Sequence, residues 1–270
     1  MQYKITIITV ILNSKKDLIK TINSVQRQTY RNFQHIIKDG FSEDGIKEIN
    51  FKDLPNTEIY FESDTGIYNA MNQGFRYANG DLLMFLNAGD RLISNQTLQN
   101  INDSFSKYTF STCLIGYTAQ VDEKNINNFS LLGFGSLYKK IPFIQYPHPS
   151  FILKKEVATK IKPLFDNKLK IASDYKQQIL IRKMGLFKPI FLDQIITIMP
   201  LGGKSTENLI SYKKGFLETL KFSINIYRLR FFYILFLKIF LRLKKSLLKI
   251  EYPTNFRKQI FDYYKSNIDN

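Results

Sequence analysis

Four short apolar runs, each ending in a polar or acidic residue, constrain this chain more than any other feature. The first, residues 4–11 (KITIITVI), is β-branched and leads to Asn13. Residues 33–37 lead to Asp39, residues 58–61 to Asp64, and residues 82–86 to Asn87 and Asp90. Runs of this length and composition read as buried strands. After the first, Leu18, Ile22 and Val25 recur at helical spacing behind Ser14, a residue suited to an N-cap. Residues 67–77 form a second helical pattern, stopped by Asn79-Gly80. Strands alternating with helices predict βαβ units, hence an α/β domain with a mostly parallel central sheet flanked by helices. In such open sheets ligands bind outside the carboxyl ends of the strands, where all four polar endings fall.

Past Asp90 the pattern loosens. Residues 94–105 read as a helix, 113–119 as a strand, and 125–146 as turn-rich. Residues 152–161 and 173–184 read as helices, the second capped by Ser173 with Asp174 in its first turn. Leu201-Gly202-Gly203 marks a boundary, which predicts a catalytic domain over residues 1–205 and a basic helical extension over 206–270.

Charge sets that extension apart. The chain of 270 residues carries a net charge of +16, and eight of its Lys and Arg residues fall in 219–250, which holds no Asp or Glu. Lys238, Arg242, Lys245 and Lys249 share one helical face, and Phe236, Phe240, Leu243, Leu247 and Ile250 another. Such a helix can lie on an anionic membrane surface, or pack its apolar face on protein and leave its charges in water. A global basic balance would point to nucleic acid, but concentration in one apolar-aromatic stretch argues against it. No run reaches the roughly 18 apolar residues of a membrane span, and the opening run lacks the marks of a cleaved leader. Cys113, the one cysteine, excludes an internal disulfide or a cysteine metal cluster and fits a reducing compartment. The expected location is cytoplasmic, peripheral on the inner face of the membrane.

Transfer from a nucleoside diphosphate sugar needs the base and ribose held, the diphosphate neutralised and an acceptor hydroxyl deprotonated. Carboxylates serve all three needs, one of them through a hard divalent cation. The segments Thr9-Val10-Ile11-Leu12-Asn13, Lys38-Asp39-Gly40-Phe41-Ser42, Ser63-Asp64-Thr65-Gly66-Ile67-Tyr68-Asn69-Ala70-Met71-Asn72 and Phe85-Leu86-Asn87-Ala88-Gly89-Asp90 meet that description. Together they make the chain resemble the family-two glycosyltransferases of GT-A fold, a Rossmann-like architecture, over about residues 4–205, especially bacterial enzymes of surface polysaccharide assembly. The resemblance implies that Thr9, Val10 and Asn13 line the nucleotide pocket and that Asp39 contacts the base. It places Asp64 beside the nucleotide with Asn72 nearby. Asn87 to Asp90 occupies the place of the family's DxD metal motif, and Asn87 and Gly89 stand where acids are common. Asp90 is left as the one carboxylate for Mg2+ or Mn2+.

Asp174 matches the family's catalytic-base region, and His148, between Pro147 and Pro149, matches a His-containing segment on the acceptor side. Gly202-Gly203-Lys204-Ser205 resembles a segment that closes over the donor, and also suits a plain linker. Taken singly, Asp39-Gly40 fits a turn and Asp64 a helix-dipole partner. The expected activity is inverting transfer from a nucleotide sugar, UDP-linked, to a hydroxyl of a glycan on a polyprenyl-diphosphate lipid. Its rivals are a non-catalytic nucleotide-sugar-binding scaffold and a basic nucleic-acid-binding protein.

Overall fold

The computed structural model describes residues 1–133, 144–201, 209–227 and 255–267. The predicted basic face of 228–250 and the Gly202-Gly203-Lys204-Ser205 segment lie outside those residues. The described strands are β1 (Ile5–Ile11), β2 (Phe33–Asp39), β3 (Thr57–Phe61), β4 (Leu82–Phe85), β5 (Arg91–Leu92), β6 (Cys113–Val121), β7 (Phe129–Leu132), β8 (Phe151–Lys154) and β9 (Pro189–Pro200). The helices are α1 (Lys15–Gln26), α2 (Ile67–Arg76), α3 (Thr97–Lys107), α4 (Lys155–Ala158), α5 (Ser173–Lys183), α6 (Leu209–Tyr227) and α7 (Asn255–Asn267). The strands form one sheet in the order β3-β2-β1-β4-β8-β6-β9-β5, with β7 on β6.

The sheet has two halves of different character. β3, β2, β1 and β4 are parallel neighbours, the βαβ half that the first four runs predict. β8 joins antiparallel to both β4 and β6, and β7 and β5 add antiparallel, while β6 and β9 run parallel. Every residue of β1, β2 and β4 is buried, as expected for strands covered on both faces. Alternation along β1 divides the core: Ile5 and Ile7 face the layer holding Val25 of α1, and Ile8 and Val10 face the layer holding Ala70 and Met71 of α2. α2 sits so close that a Cβ on Gly74 would lie 2.7 Å from Ile8 Cγ2.

Two expectations are corrected, and one strand had no reading. Residues 152–161 do not form a helix; β8 occupies Phe151–Lys154 and only Lys155–Ala158 is helical. Phe151, Ile152 and Leu153 are buried on both faces between β4 and β6, and a short run apolar on every side carries no period to distinguish strand from helix. β9 goes unread in the sequence because Asp193 and Gln194 interrupt its apolar run. Ser173 is not a cap: it is the first helical residue, and its Oγ accepts the Asp166 N–H at 2.6 Å.

The two described C-terminal helices pack on the body. Phe222 of α6 joins Ala172, Tyr175 and Ile179 in one apolar cluster, and Phe256 and Ile260 of α7 enter the main core. Gly74→Val should lower the unfolding free energy by about 1–3 kcal/mol through overpacking, read from the urea midpoint. An unchanged midpoint would show that α2 does not approach β1 this closely.

Candidate active site

Parallel pairing sets the ends of β1 and β2 side by side, with Ile11 opposite Asp39. Beyond them the chain ties a compact loop. Asn13, at φ 52°, donates its N–H to Ser42 Oγ at 2.8 Å and accepts the Glu43 N–H on Oδ1 at 2.8 Å. Asp39 accepts the Ser42 N–H at 3.0 Å and the Ser42 hydroxyl at 2.6 Å on Oδ1. Asp39 is fully buried, so in this conformation it shapes the 40–45 loop, and Asn13 holds the same loop from β1.

Asp64 meets Lys38, whose side chain is 0% exposed, in an ion pair through Oδ2, and its Oδ1 accepts the Gly66 N–H at 3.0 Å. The Asp64 carboxylate also packs on Gly40, where a Cβ would lie 2.8 Å from Oδ2. Thr9 is inside the sheet, not on the crevice: it is fully buried and its Oγ1 donates to Leu86 O at 2.7 Å and pairs with His35 Nε2 at 2.9 Å. Val10 likewise belongs to the core under α2. Asn72 spends its amide on residues 165–167, donating to Phe165 O at 2.8 Å and Asn167 Oδ1 at 2.7 Å and accepting the Phe165 N–H at 2.9 Å. Its role is to position Phe165.

α2 carries the arc onward. Tyr68, in its first turn, donates its hydroxyl to Ile171 O at 2.6 Å and to Asp174 Oδ1 at 3.2 Å. Burial, then the Asp174 charge, raises the Tyr68 pKa, so the phenol stays protonated and donates. Gln145 Nε2 donates to Asp174 Oδ2 at 3.1 Å, and both carboxylate oxygens are thereby oriented. His148 stacks on Phe85, the last residue of β4, with ring centroids 5.2 Å apart, and meets Phe165 edge-on at 5.5 Å. Both of its ring nitrogens are buried without a hydrogen-bond partner among the described residues. Burial lowers its pKa, and the charge of Asp174 pulls in the opposite direction.

From Phe85 the chain enters the Asn87–Asp90 turn, closed by Asp90 N–H to Asn87 O at 3.0 Å. Thr21 of α1 stitches it in place, accepting the Gly89 N–H at 2.9 Å and donating to Asp90 O at 2.9 Å. The Asn87 side-chain oxygen is buried with no hydrogen-bond partner among the described residues. Burial pushes the Asp90 carboxyl up to about 7, against the lowering effects of the Asn87 backbone N–H and of Arg91. Among the described residues no group of three or more His, Cys, Asp and Glu could hold a metal ion. The donors that fit a hard cation are two oxygens of one turn, the Asp90 carboxylate and Asn87 Oδ1.

Sequence reasoning missed the supports. Arg91, buried beside Asp90, pairs with Glu123 at 2.6 Å, and Glu123 also takes Lys20 at 2.9 Å. Its guanidinium donates to Tyr264 Oη at 3.2 Å and lies over the Tyr263 and Tyr264 rings of α7. Lys38 and Tyr68 stood inside the recognised segments, yet their partners lie far off in sequence.

Carboxylates along the strand ends of a half-parallel sheet, continued by an antiparallel half, define a glycosyltransferase of GT-A fold. The chain belongs to Glycosyl transferase family 2, whose sequence model matches residues 6–159. It is 39% identical over 89 residues to an uncharacterised glycosyltransferase of Mycobacterium tuberculosis, covering 32% of this chain and 34% of that one. It is 35% identical over 100 residues to a PGL/p-HBAD biosynthesis glycosyltransferase of the same species, covering 36% and 39%. A third relative, a minor teichoic acid biosynthesis protein of Bacillus subtilis, is 29% identical over 203 residues, 69% of this chain and 22% of that one. The matches thus span between 22% and 39% of these relatives' own length. In fold the chain is similar to residues 1–349 of S. aureus TarS in complex with UDP-GlcNAc (TM-score 0.64, 16% identity, 82% of this chain and 66% of that one). It is also similar to the mannosyltransferase PcManGT of Pyrobaculum calidifontis in complex with GDP-Man and Mn2+ (TM-score 0.57, 12% identity, 99% and 88%).

Asp90 generates a pH prediction. Its folded-state pKa of about 7 exceeds its ordinary 3.8, so the stability tied to its proton is full below the lower value and is lost as pH rises through the higher. Asp90→Asn should therefore raise Tm at pH 8 and raise it less at pH 5, by calorimetry. Equal increments at both would show that the carboxyl titrates normally.

Proposed function

We propose that the protein transfers a sugar with inversion from a nucleoside diphosphate sugar to an acceptor hydroxyl. The observation that carries this reading is Asp174, oriented by Tyr68 and Gln145 beside the unpartnered His148. It stands on one continuous arc with the Asp64 loop and the Asn87–Asp90 turn. Asn13 and Asp64 bind base and ribose at the ends of β1 to β3, on a loop that the buried Asp39 shapes. Asp174 takes the proton of the acceptor hydroxyl as that oxygen attacks the anomeric carbon. The bond from that carbon to the diphosphate oxygen breaks on the opposite side, which inverts the centre. A divalent cation, Mg2+ or Mn2+, held by Asp90 and Asn87 Oδ1 would neutralise charge on the departing diphosphate. His148 lends a ring nitrogen to the acceptor side.

A UDP donor is supported by the UDP-GlcNAc complex of TarS, a fold neighbour, and a lipid-linked glycan acceptor by the teichoic acid and PGL/p-HBAD roles named for the relatives. In this reading residues 1–205 are the catalytic unit and 206–270 a basic helical extension, whose described helices α6 and α7 pack on the body. Among the described residues no helix is long and apolar enough to cross a membrane. Contact with an anionic membrane surface is supported by α6, which exposes Phe216, Leu217 and Ile224. Lys213, Lys214 and Lys221 line a groove with Leu217 on the same helix. The reading that these features support is a cytoplasmic enzyme, peripheral on the inner face of the membrane.

Asp174→Asn should reduce kcat about 10²–10⁴-fold and leave the donor KM nearly unchanged, in assays of a nucleotide-sugar panel with Mn2+. Tight nucleotide binding without turnover on any donor would favour a scaffold. Reversing Lys213, Lys214 and Lys221 to Glu should abolish cosedimentation with anionic vesicles, whereas retained binding would remove α6 from the membrane contact. Charge reversal serves better than truncation here, because Phe222 and Phe256 are buried in the body.

A further inference from the structure

α6 lies beyond the family-matched residues 6–159, yet one of its side chains reaches the loop that feeds Asp174. Glu218 accepts three consecutive backbone N–H groups: Lys170 at 2.8 Å on Oε1, Ile171 at 2.9 Å and Ala172 at 3.1 Å on Oε2. Three converging N–H groups on one carboxylate form a charge-assisted nest that fixes a loop in one conformation. The helix is seated for this contact. Gly215, Glu218, Phe222 and Ile226 share one face; a Cβ on Gly215 would lie 3.0 Å from Ile171 Cγ2, and Phe222 meets Tyr175 of α5 at 5.8 Å.

The gripped residues, 170–172, reach both halves of the site. Lys170 Nζ donates to Thr65 O at 3.2 Å, on the Asp64–Gly66 loop. Ile171 O takes the Tyr68 hydroxyl at 2.6 Å, and the same hydroxyl orients Asp174 Oδ1. Asp174 itself follows Ala172 by two residues. We propose that Glu218 is a positioning residue for Asp174: through residues 170–172 and Tyr68, α6 sets the direction in which the base presents its oxygen. The inference rests on Asp174 being the base.

The test compares kcat, donor KM and Tm of purified full-length Glu218→Ala, Glu218→Gln, Asp174→Asn and Tyr68→Phe, with rates normalised to folded enzyme. Glu218→Ala should lower kcat roughly ten- to hundredfold, the scale of a ~1 Å misplacement, with donor KM within about threefold of wild type. Glu218→Gln, which keeps an acceptor oxygen, should recover most of the rate. Should the alanine variant fail to fold, Glu218→Asp, which keeps the charge but retracts it from the 170–172 N–H groups, takes its place, and its loss of kcat should shrink in the Tyr68→Phe background, as expected for residues acting in series. A merely structural Glu218 would lower Tm and leave kcat of the folded fraction unchanged, and that result, or strict additivity with Tyr68→Phe, overturns the proposal. If Asp174→Asn retains wild-type kcat, the base assignment fails and this inference falls with it. An inactive Asp174→Asn beside a fully active Glu218→Ala overturns the positioning role alone.

Discussion

The buried ion pair of Lys38 with Asp64 is the contact from which the site is laid out. Lys38, the penultimate residue of β2, has no exposed side-chain surface, and Asp64 leads into α2. Breaking a buried pair by removing one partner costs about 3–5 kcal/mol, whereas replacing both with apolar residues is often neutral. The pair therefore fixes position more than it adds net stability. It holds Asp64 against Gly40, directs Oδ1 to the Gly66 N–H, and so sets where α2 begins. Because Tyr68 is two residues past Gly66, the placement of Asp174 descends from the same pair.

Away from this junction, polar groups divide by whether the protein satisfies them. Thr9, Asn72, Asp39 and Asn13 find partners within the chain and hold loops and strands. Asn87 Oδ1 and the two nitrogens of His148 do not. An unsatisfied buried polar atom costs about 1–3 kcal/mol, and three of them cluster around the end of β4, where His148 stacks on Phe85. The raised Asp90 carboxyl belongs to the same neighbourhood.

The parallel half of the fold was legible because β1, β2 and β4 are covered on both faces, which concentrates apolar residues in short runs, and each of the four strands leads to a polar residue. The Ser63–Asp90 stretch carried most of that information, since one short segment holds a strand end, a helix start, a helix stop and the next strand. Of the antiparallel half only β6 was legible, as the strand read over residues 113–119. β8 lacks a period because it is buried between two strands, and β9 is interrupted by Asp193 and Gln194. Within the site, residue type announced Asp90 and Asp174 but not the work of Thr9 or Asn72, whose side chains turn inward to partners 77 and 93 residues away. Arg91, Glu218 and Tyr68 were invisible for the same reason, since their partners come from distant helices and loops.

The clasp on Arg91 bears on the order in which the molecule is made. A ribosome delivers residues up to 159, the family-matched span, before Glu218 or Tyr264 has been synthesised, and domains form as their residues emerge. The parallel sheet and the donor edge can therefore take shape on the nascent chain. The residues that steady Arg91 and grip the 170–172 loop arrive last, 173 positions after Arg91 in the case of Tyr264. The emerging chain thus gains its parallel sheet before Arg91 and the 170–172 loop are braced.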